Sequence, residues 1–166
     1  MLTDGPESGH EARLMSATHF ITAPTFHRKR LFQNQKYGDL LTETLLSFRE
    51  SYPVQIHDYV IMPDHVHVLL TIYGDLPAND AMQKLQRHFA EQVAQQFGYN
   101  GEVWETSFHN DQVNNAEDCA RCVKKIHSNP VRVGFCDKPG EYRMSSKASR
   151  WVLDPLPENL RELYPA

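Results

Sequence analysis

The chain has few of the features that would set it apart from an ordinary globular protein. It has three cysteines in 166 residues. An odd number argues against a disulfide framework and fits a reducing compartment, so a cytoplasmic location is expected. The longest uncharged apolar run, residues 66–73, falls far short of the ~20 residues that cross a bilayer, and no membrane partner is expected. Residues 1–12 are polar and acidic without a hydrophobic stretch, so they are not expected to act as a secretory signal. An excess of positive charge is also lacking. The net charge is −4 with nine histidines, so any contact with nucleic acid has to come from a local patch. No internal repeat or low-complexity tract is visible.

What is present suits one soluble domain, with 40% hydrophobic and 23% charged residues. Residues 1–14 are aperiodic and rich in Gly, Pro, Ser and Glu, which predicts a disordered tail. Residues 15–150 are expected to form the domain, and residues 151–166 a C-terminal extension packed on it.

The chemistry centres on residues 59–72. This stretch reads as a strand, a tight corner at Met62-Pro63-Asp64, and a second strand over 65–72. Alternation puts Val66, Val68 and Leu70 on one face and His65, His67 and Leu69 on the other. Imidazoles two residues apart on a strand are about 6.6 Å apart at Cα. That spacing lets them converge on one metal ion with bonds of about 2.0–2.1 Å. Surface histidines satisfied by neighbours give the same pattern.

Along the chain, residues 19–22 read as a first strand, followed by the basic stretch Phe26-His27-Arg28-Lys29-Arg30-Leu31-Phe32. Arg28, Lys29 and Arg30 between two aromatics suit either a solvated loop or phosphate contact with base stacking. Leu41, Leu45 and Phe48 predict a helix over 36–51, stopped by Pro53, and residues 54–61 form the next strand. A helix over 80–97 carries Met82, Leu85, Phe89, Val93 and Phe97 as its apolar stripe, with Gly98 as its stop. Its polar face holds Lys84, Arg87 and His88 and reads as a plain solvated face, with Lys84 and Arg87 as further candidate nucleic-acid contacts. Residues 103–108 are predicted to be a strand, with Trp104 and Phe108 as packing residues. Asn115 is expected to cap a final helix, with Asp118 as its acidic third residue, ending by Asn129 because of Pro130. Cys119 and Cys122 with His127 and Cys136 could form a zinc site, but no second pair accompanies them. On a helix they read better as buried apolar residues. The order of elements predicts an α+β class: a ferredoxin-like antiparallel sheet with helices packed on one face.

Three blocks resemble the REP-associated tyrosine transposases and the small single-tyrosine HUH transposases. They are residues 59–70, residues 103–109 beginning at Val103-Trp104, and Ile126-His127-Ser128-Asn129-Pro130-Val131-Arg132-Val133-Gly134-Phe135. Weaker matches lie at Phe20-Ile21-Thr22, Arg28 to Phe32, and Glu141-Tyr142 with Ser145-Ser146, so the likeness spans about residues 17–150. It implies an HUH-type fold and metal-assisted cleavage of single-stranded DNA near a hairpin, through a 5′-phosphotyrosine. It further implies His65, His67 and Asn129 as ligands for Mg²⁺ or Mn²⁺.

The family's nucleophilic tyrosine stands four residues before that asparagine, and here the position is Lys125. No tyrosine occurs between Tyr99 and Tyr142. The expected function is therefore that of a transposase-like protein that binds structured single-stranded or hairpin DNA, catalytically impaired, with Lys125 and Arg121 holding phosphate and Lys125 weakening metal binding. Two alternatives are a working transposase or nickase drawing on Tyr142, Tyr99, or Tyr37 of a partner subunit in a homodimer, and a metal-dependent nuclease using water. His127 suits either a partner of a ligand or a hydrogen-bonded core imidazole, and His109 has no assigned role.

Overall fold

The computed structural model describes residues 15–161. The predicted N-terminal tail, residues 1–14, and the last five residues of the C-terminal extension lie outside them. Four strands form one antiparallel sheet: β1 (Ser16–Pro24), β2 (Val54–Met62), β3 (His65–Tyr73) and β4 (His109–Val113), in the order β2-β3-β1-β4. Three helices join them: α1 (Gln35–Ser51), α2 (Ala78–Phe97) and α3 (Ala116–Arg132). The expected α+β class and ferredoxin-like antiparallel sheet are present.

The helices divide between the two sheet faces, although all were expected on one. Val66, Val68, Leu70 and Ile72 pack with Ile21, Ala23, Leu45, Leu85 and Phe89 under α1 and α2. Phe20, Val60, Met62 and Leu69 pack on the opposite side with Cys119 and Ile126 of α3 and with Leu160 of the C-terminal segment. Strand β3 is thus central and covered on both faces. Its histidine face meets α3, and the other face meets the main core.

Strand β2 contains a register shift between Ile56 and Asp58. A bulge inserts one extra residue and exchanges the faces of everything after it. Val54 and Ile56 therefore face the main core from even positions, while Tyr59 and Ile61 face it from odd ones. Without this shift Val60 and Met62 could not join the apolar layer under α3.

The helices begin and end for identifiable reasons. The Asn34 side chain accepts from the Lys36 N–H at 3.3 Å to start α1. Helix α2 starts after Pro77, two residues before the expected position, and stops at Gly98 in the left-handed region (φ 69°). Asn115 Oδ1 accepts from the Asp118 N–H at 2.8 Å to start α3, as anticipated. Helix α3 then runs through Pro130, where it was expected to stop. Proline removes one N–H, and so close to the C-terminus little else is lost. A Schellman motif closes the helix, with Phe135 N–H donating to Pro130 C=O at 2.9 Å, Gly134 N–H donating to Val131 C=O at 3.0 Å, and Gly134 at φ 84°.

Residues 103–108 do not form the predicted strand. Trp104 makes a single bridge to Thr25, and its ring packs 5.8 Å from Phe32 and 5.6 Å from Phe89. The fourth strand lies one step later, in a polar stretch with no aromatic or β-branched signal until Val113. Among the described residues, no helix is long and apolar enough to cross a membrane.

Phe89 is fully buried where α2 meets the sheet and the Phe32 and Trp104 rings. A Phe89→Ala substitution is expected to cost about 3–5 kcal/mol of unfolding free energy in a denaturant titration. A loss below about 1 kcal/mol would show that the core closes around the gap.

Candidate functional site

The short corner between β2 and β3 delivers His65 and His67 to the sheet face covered by α3. Their ring centroids lie 4.8 Å apart at an interplanar angle of 80°. Each ring is fixed through Nδ1. His65 Nδ1 lies 2.7 Å from Asp64 Oδ1, and His67 Nδ1 lies 2.8 Å from Thr22 Oγ1. Thr22 is directly opposite His67 in the β1–β3 ladder, so pairing register supplies that contact. The His67 ring also stacks on Phe20 at 5.3 Å and 15°. With Nδ1 engaged in both rings, Nε2 is the other nitrogen of each, and in His65 it faces Asn129.

Helix α3 lowers Asn129 onto this pair. Asn129 and His67 are each only 4% exposed, and Asn129 Nδ2 lies 3.4 Å from His65 Nε2. One turn earlier, the Lys125 ammonium sits 5.5 Å from the centroid of the Phe20 ring that His67 stacks on. The structure thus gathers His65, His67, Asn129 and Lys125 at one place.

Burial disfavours the charged form of both imidazoles. Burial pulls His65 below its ordinary value, against the opposing pull of Asp64. Burial, then the charges of His65, Lys125 and Arg132, take His67 down to about 3. Burial pushes the Asp64 carboxyl up, but the hydrogen bond from His65 and the Arg28 charge outweigh it and hold it below the usual range. Neutral imidazole is the metal-binding form. Two such rings and a carboxamide form a donor set that fits a divalent ion with open positions for other oxygen ligands. Among the described residues, no group of three His, Cys, Asp or Glu side chains could hold a metal ion.

Arg28 joins the site through Asp64, with Nε 3.2 Å from Oδ2. It sits in a turn where His27 and Arg28 both have left-handed backbone, at φ 51° and 53°. Thr25 Oγ1 lies 2.7 Å from Lys29 C=O and 2.9 Å from Asp64 C=O, which locks the turn to the corner. Lys29 instead lies over the Tyr99 ring at 4.9 Å, and Arg30 lines a cleft together with Pro63. Arg121 pairs with Glu117 and Asp118 on its own helix. Lys84 and Arg87 lie on α2, which packs on the opposite face of the sheet, and are not brought to the histidines.

The cysteines follow the packing reading. Cys119 is fully buried and its thiol is pushed up to about 11 by burial. His127 Nε2 lies 2.7 Å from Asp58 Oδ2, so it is a hydrogen-bonded imidazole tying α3 to the bulge in β2. These two residues border a cavity of about 550 Å³ on the other side of α3 from the histidine pair. Exposed His109 pairs with Asp111 at 3.1 Å on β4. Thr22, Phe20 and Asp58 were missed in the sequence. Thr22 and Phe20 depend on a register that no local pattern encodes, and Asp58 depends on a bulge.

Residues 15–129 match the family described as "Transposase IS200 like". A REP-associated tyrosine transposase of Escherichia coli (strain K12) is 20% identical over 134 residues, covering 80% of this chain and 78% of that protein. A Haemophilus influenzae relative is 27% identical over 127 residues, covering 64% of this chain and 70% of its own length. Among solved structures, a REP-associated tyrosine transposase bound to a REP hairpin superimposes with a TM-score of 0.67 at 22% identity, over 78% of this chain and 76% of that one.

Because His67 titrates at about 3 when folded and near 6.5 when unfolded, the unfolded chain binds a proton that the native chain does not. Stability should therefore fall as pH drops from about 6.5 toward 3. Melting temperatures measured from about pH 7 to 4 are expected to decline more steeply for the wild type than for His67→Gln. Equal slopes would assign the acid sensitivity to other groups.

Proposed function

The chain belongs to the IS200-like transposase family, and on that premise we propose that it binds hairpin-forming single-stranded DNA at the face under α3 without cleaving it covalently. The observation that carries this reading is Lys125, which lies over the Phe20 ring one helical turn before Asn129 and near His65 and His67, at the place where the resemblance puts the nucleophilic tyrosine. Covalent cleavage requires a phenol oxygen to attack phosphorus while the 3′-oxygen leaves. A protonated ammonium has no lone pair to attack with, but it donates strongly to phosphate oxygens.

The tyrosines considered as substitutes are engaged elsewhere. Tyr142 O–H donates to Ile61 C=O at 2.7 Å, and burial pushes its phenol up to about 12. Tyr99 O–H is 3.1 Å from Lys29 Nζ, and the Tyr37 ring packs edge-on against Phe97 and Tyr99. In this reading His65, His67 and Asn129 hold a divalent ion such as Mg²⁺ or Mn²⁺. When bound, that ion would polarise a phosphate oxygen. Asp64 and Thr22 orient the two rings, Arg28 reinforces Asp64, and Lys125 holds the phosphate. The solved relative on its REP hairpin supports hairpin DNA as the ligand. Lys29, Arg30 and Arg121 are assigned to backbone contacts outside the metal set. Lys84 and Arg87, on the far face, would contact only DNA that wraps around the domain.

Labelled hairpin DNA with single-stranded flanks, incubated with Mn²⁺ or Mg²⁺ and run on a denaturing gel, tests the reading. Unmodified protein is expected to retain DNA on a native gel and give no covalent adduct, while Lys125→Tyr gives one. An adduct with the unmodified protein sinks the proposal in favour of a nucleophile from another position. Strand scission without an adduct assigns the reaction to water.

A further inference from the structure

Beside the β2–β3 corner, a cleft of about 300 Å³ opens between Arg30, Pro63, Phe135, Tyr142 and Arg143. Its wall is a nearly parallel ring pair, with Phe135 and Tyr142 at 6.1 Å and 15°. Phe135 is 46% exposed, among the few large apolar side chains left in solvent. Backbone places Phe135, and a hydrogen bond to backbone holds the Tyr142 ring. The Schellman motif at Gly134 aims Phe135 out of the end of α3. The Tyr142 hydroxyl is anchored to Ile61 C=O. An exposed aromatic beside a second ring offers a flat apolar face on which a planar ligand can stack.

The charge around the rings selects the ligand. Arg143 pairs with Asp39 at 3.1 Å, but Arg30 has no carboxylate partner among the described residues. Pro63, in the cleft wall, is two residues from His65, and Phe32 N–H donates to Pro63 C=O at 3.0 Å. The turn that presents Arg28 to Asp64 therefore also presents Arg30 to the cleft.

We infer that the Phe135–Tyr142 cleft is a stacking site for one unpaired nucleobase of the single strand flanking a DNA hairpin, with Arg30 on the adjacent phosphate. An aromatic face beside a free guanidinium is the combination that holds single-stranded nucleic acid with little sequence preference. The inference rests on the DNA-binding reading above and deepens it. It assigns the flanking strand, rather than the duplex stem, to this cleft.

Fluorescence anisotropy with two probes separates the two claims. One probe is a blunt DNA hairpin and the other is the same hairpin with a short single-stranded extension. Wild type is expected to bind the extended hairpin more tightly. Phe135→Ala should lose about 5- to 100-fold on the extended probe and leave the blunt probe unchanged. Phe135→Trp should keep the preference, and Arg30→Gln should reduce it. A 2-aminopurine in the extension should be quenched by wild type and not by Phe135→Ala. If wild type prefers the extension and Phe135→Ala does too, the cleft assignment is overturned while DNA binding stands. If Phe135→Ala weakens both probes equally, the cleft has no role specific to the flank and the assignment again fails. Wild type that binds neither probe overturns the DNA reading and this inference together.

Discussion

Two imidazoles on a strand buried on both faces impose the constraint that shapes this fold. A polar ring removed from water has to find a partner for its nitrogens or lose stability. Asp64 meets that need for His65 and Thr22 meets it for His67, each at Nδ1, and Asn129 Nδ2 approaches the second nitrogen of His65 at 3.4 Å. Satisfying the inner nitrogen fixes the aim of each ring, and the Asp64 carboxylate, which only accepts, also sets the His65 proton on Nδ1. The same arrangement explains the left-handed backbone at His27 and Arg28. Such conformations cost on the order of 1 kcal/mol or more each and persist only where surroundings impose them. Here the Thr25 hydroxyl and the Arg28–Asp64 pair impose them, so backbone strain in one loop supports a carboxylate that orients a histidine.

Much of this was readable from local pattern. Period-two alternation assigned His65, His67 and Leu69 to one face, and Leu69 does pack under α3 while Val66, Val68 and Leu70 fill the main core. The Asn115 cap, the stop at Gly98 and the helical stripe from Met82 to Val93 followed from short-range chemistry. Features set by long-range pairing were not readable. The His67–Thr22 contact spans 45 residues and depends on which strand lies beside β3. Strand β4 is a polar edge strand, defined by its neighbour β1 rather than by its own composition. Proline in α3 was read as a terminator, but closure came four residues later, at a glycine able to take φ 84°. The division of helices between faces was hidden for a related reason. The bulge at Ile56/Asp58 reverses which residues of β2 face which layer, and an alternation count over 54–62 cannot register an insertion.

On the proposed reading, lysine in place of a phenol changes more than the nucleophile. A tyrosine at position 125 would add no charge beside two neutral imidazoles, so a divalent ion would be the principal positive charge facing a phosphate there. An ammonium supplies a fixed charge to the same pocket. Its field already contributes to the low titration of His67, and the same field opposes a second cation. On the proposed reading the phosphate is held by Lys125 directly, and DNA affinity no longer requires the ion. Such a site keeps the recognition part of the family's chemistry. It gives up the part that needs a lone pair on oxygen. The ring pair at Phe135 and Tyr142 is consistent with that division, because stacking an unpaired base depends on neither the ion nor the residue at position 125. Recognition is then spread along the corner from Arg28 past Pro63 to Phe135, whereas catalysis would have rested on one side chain.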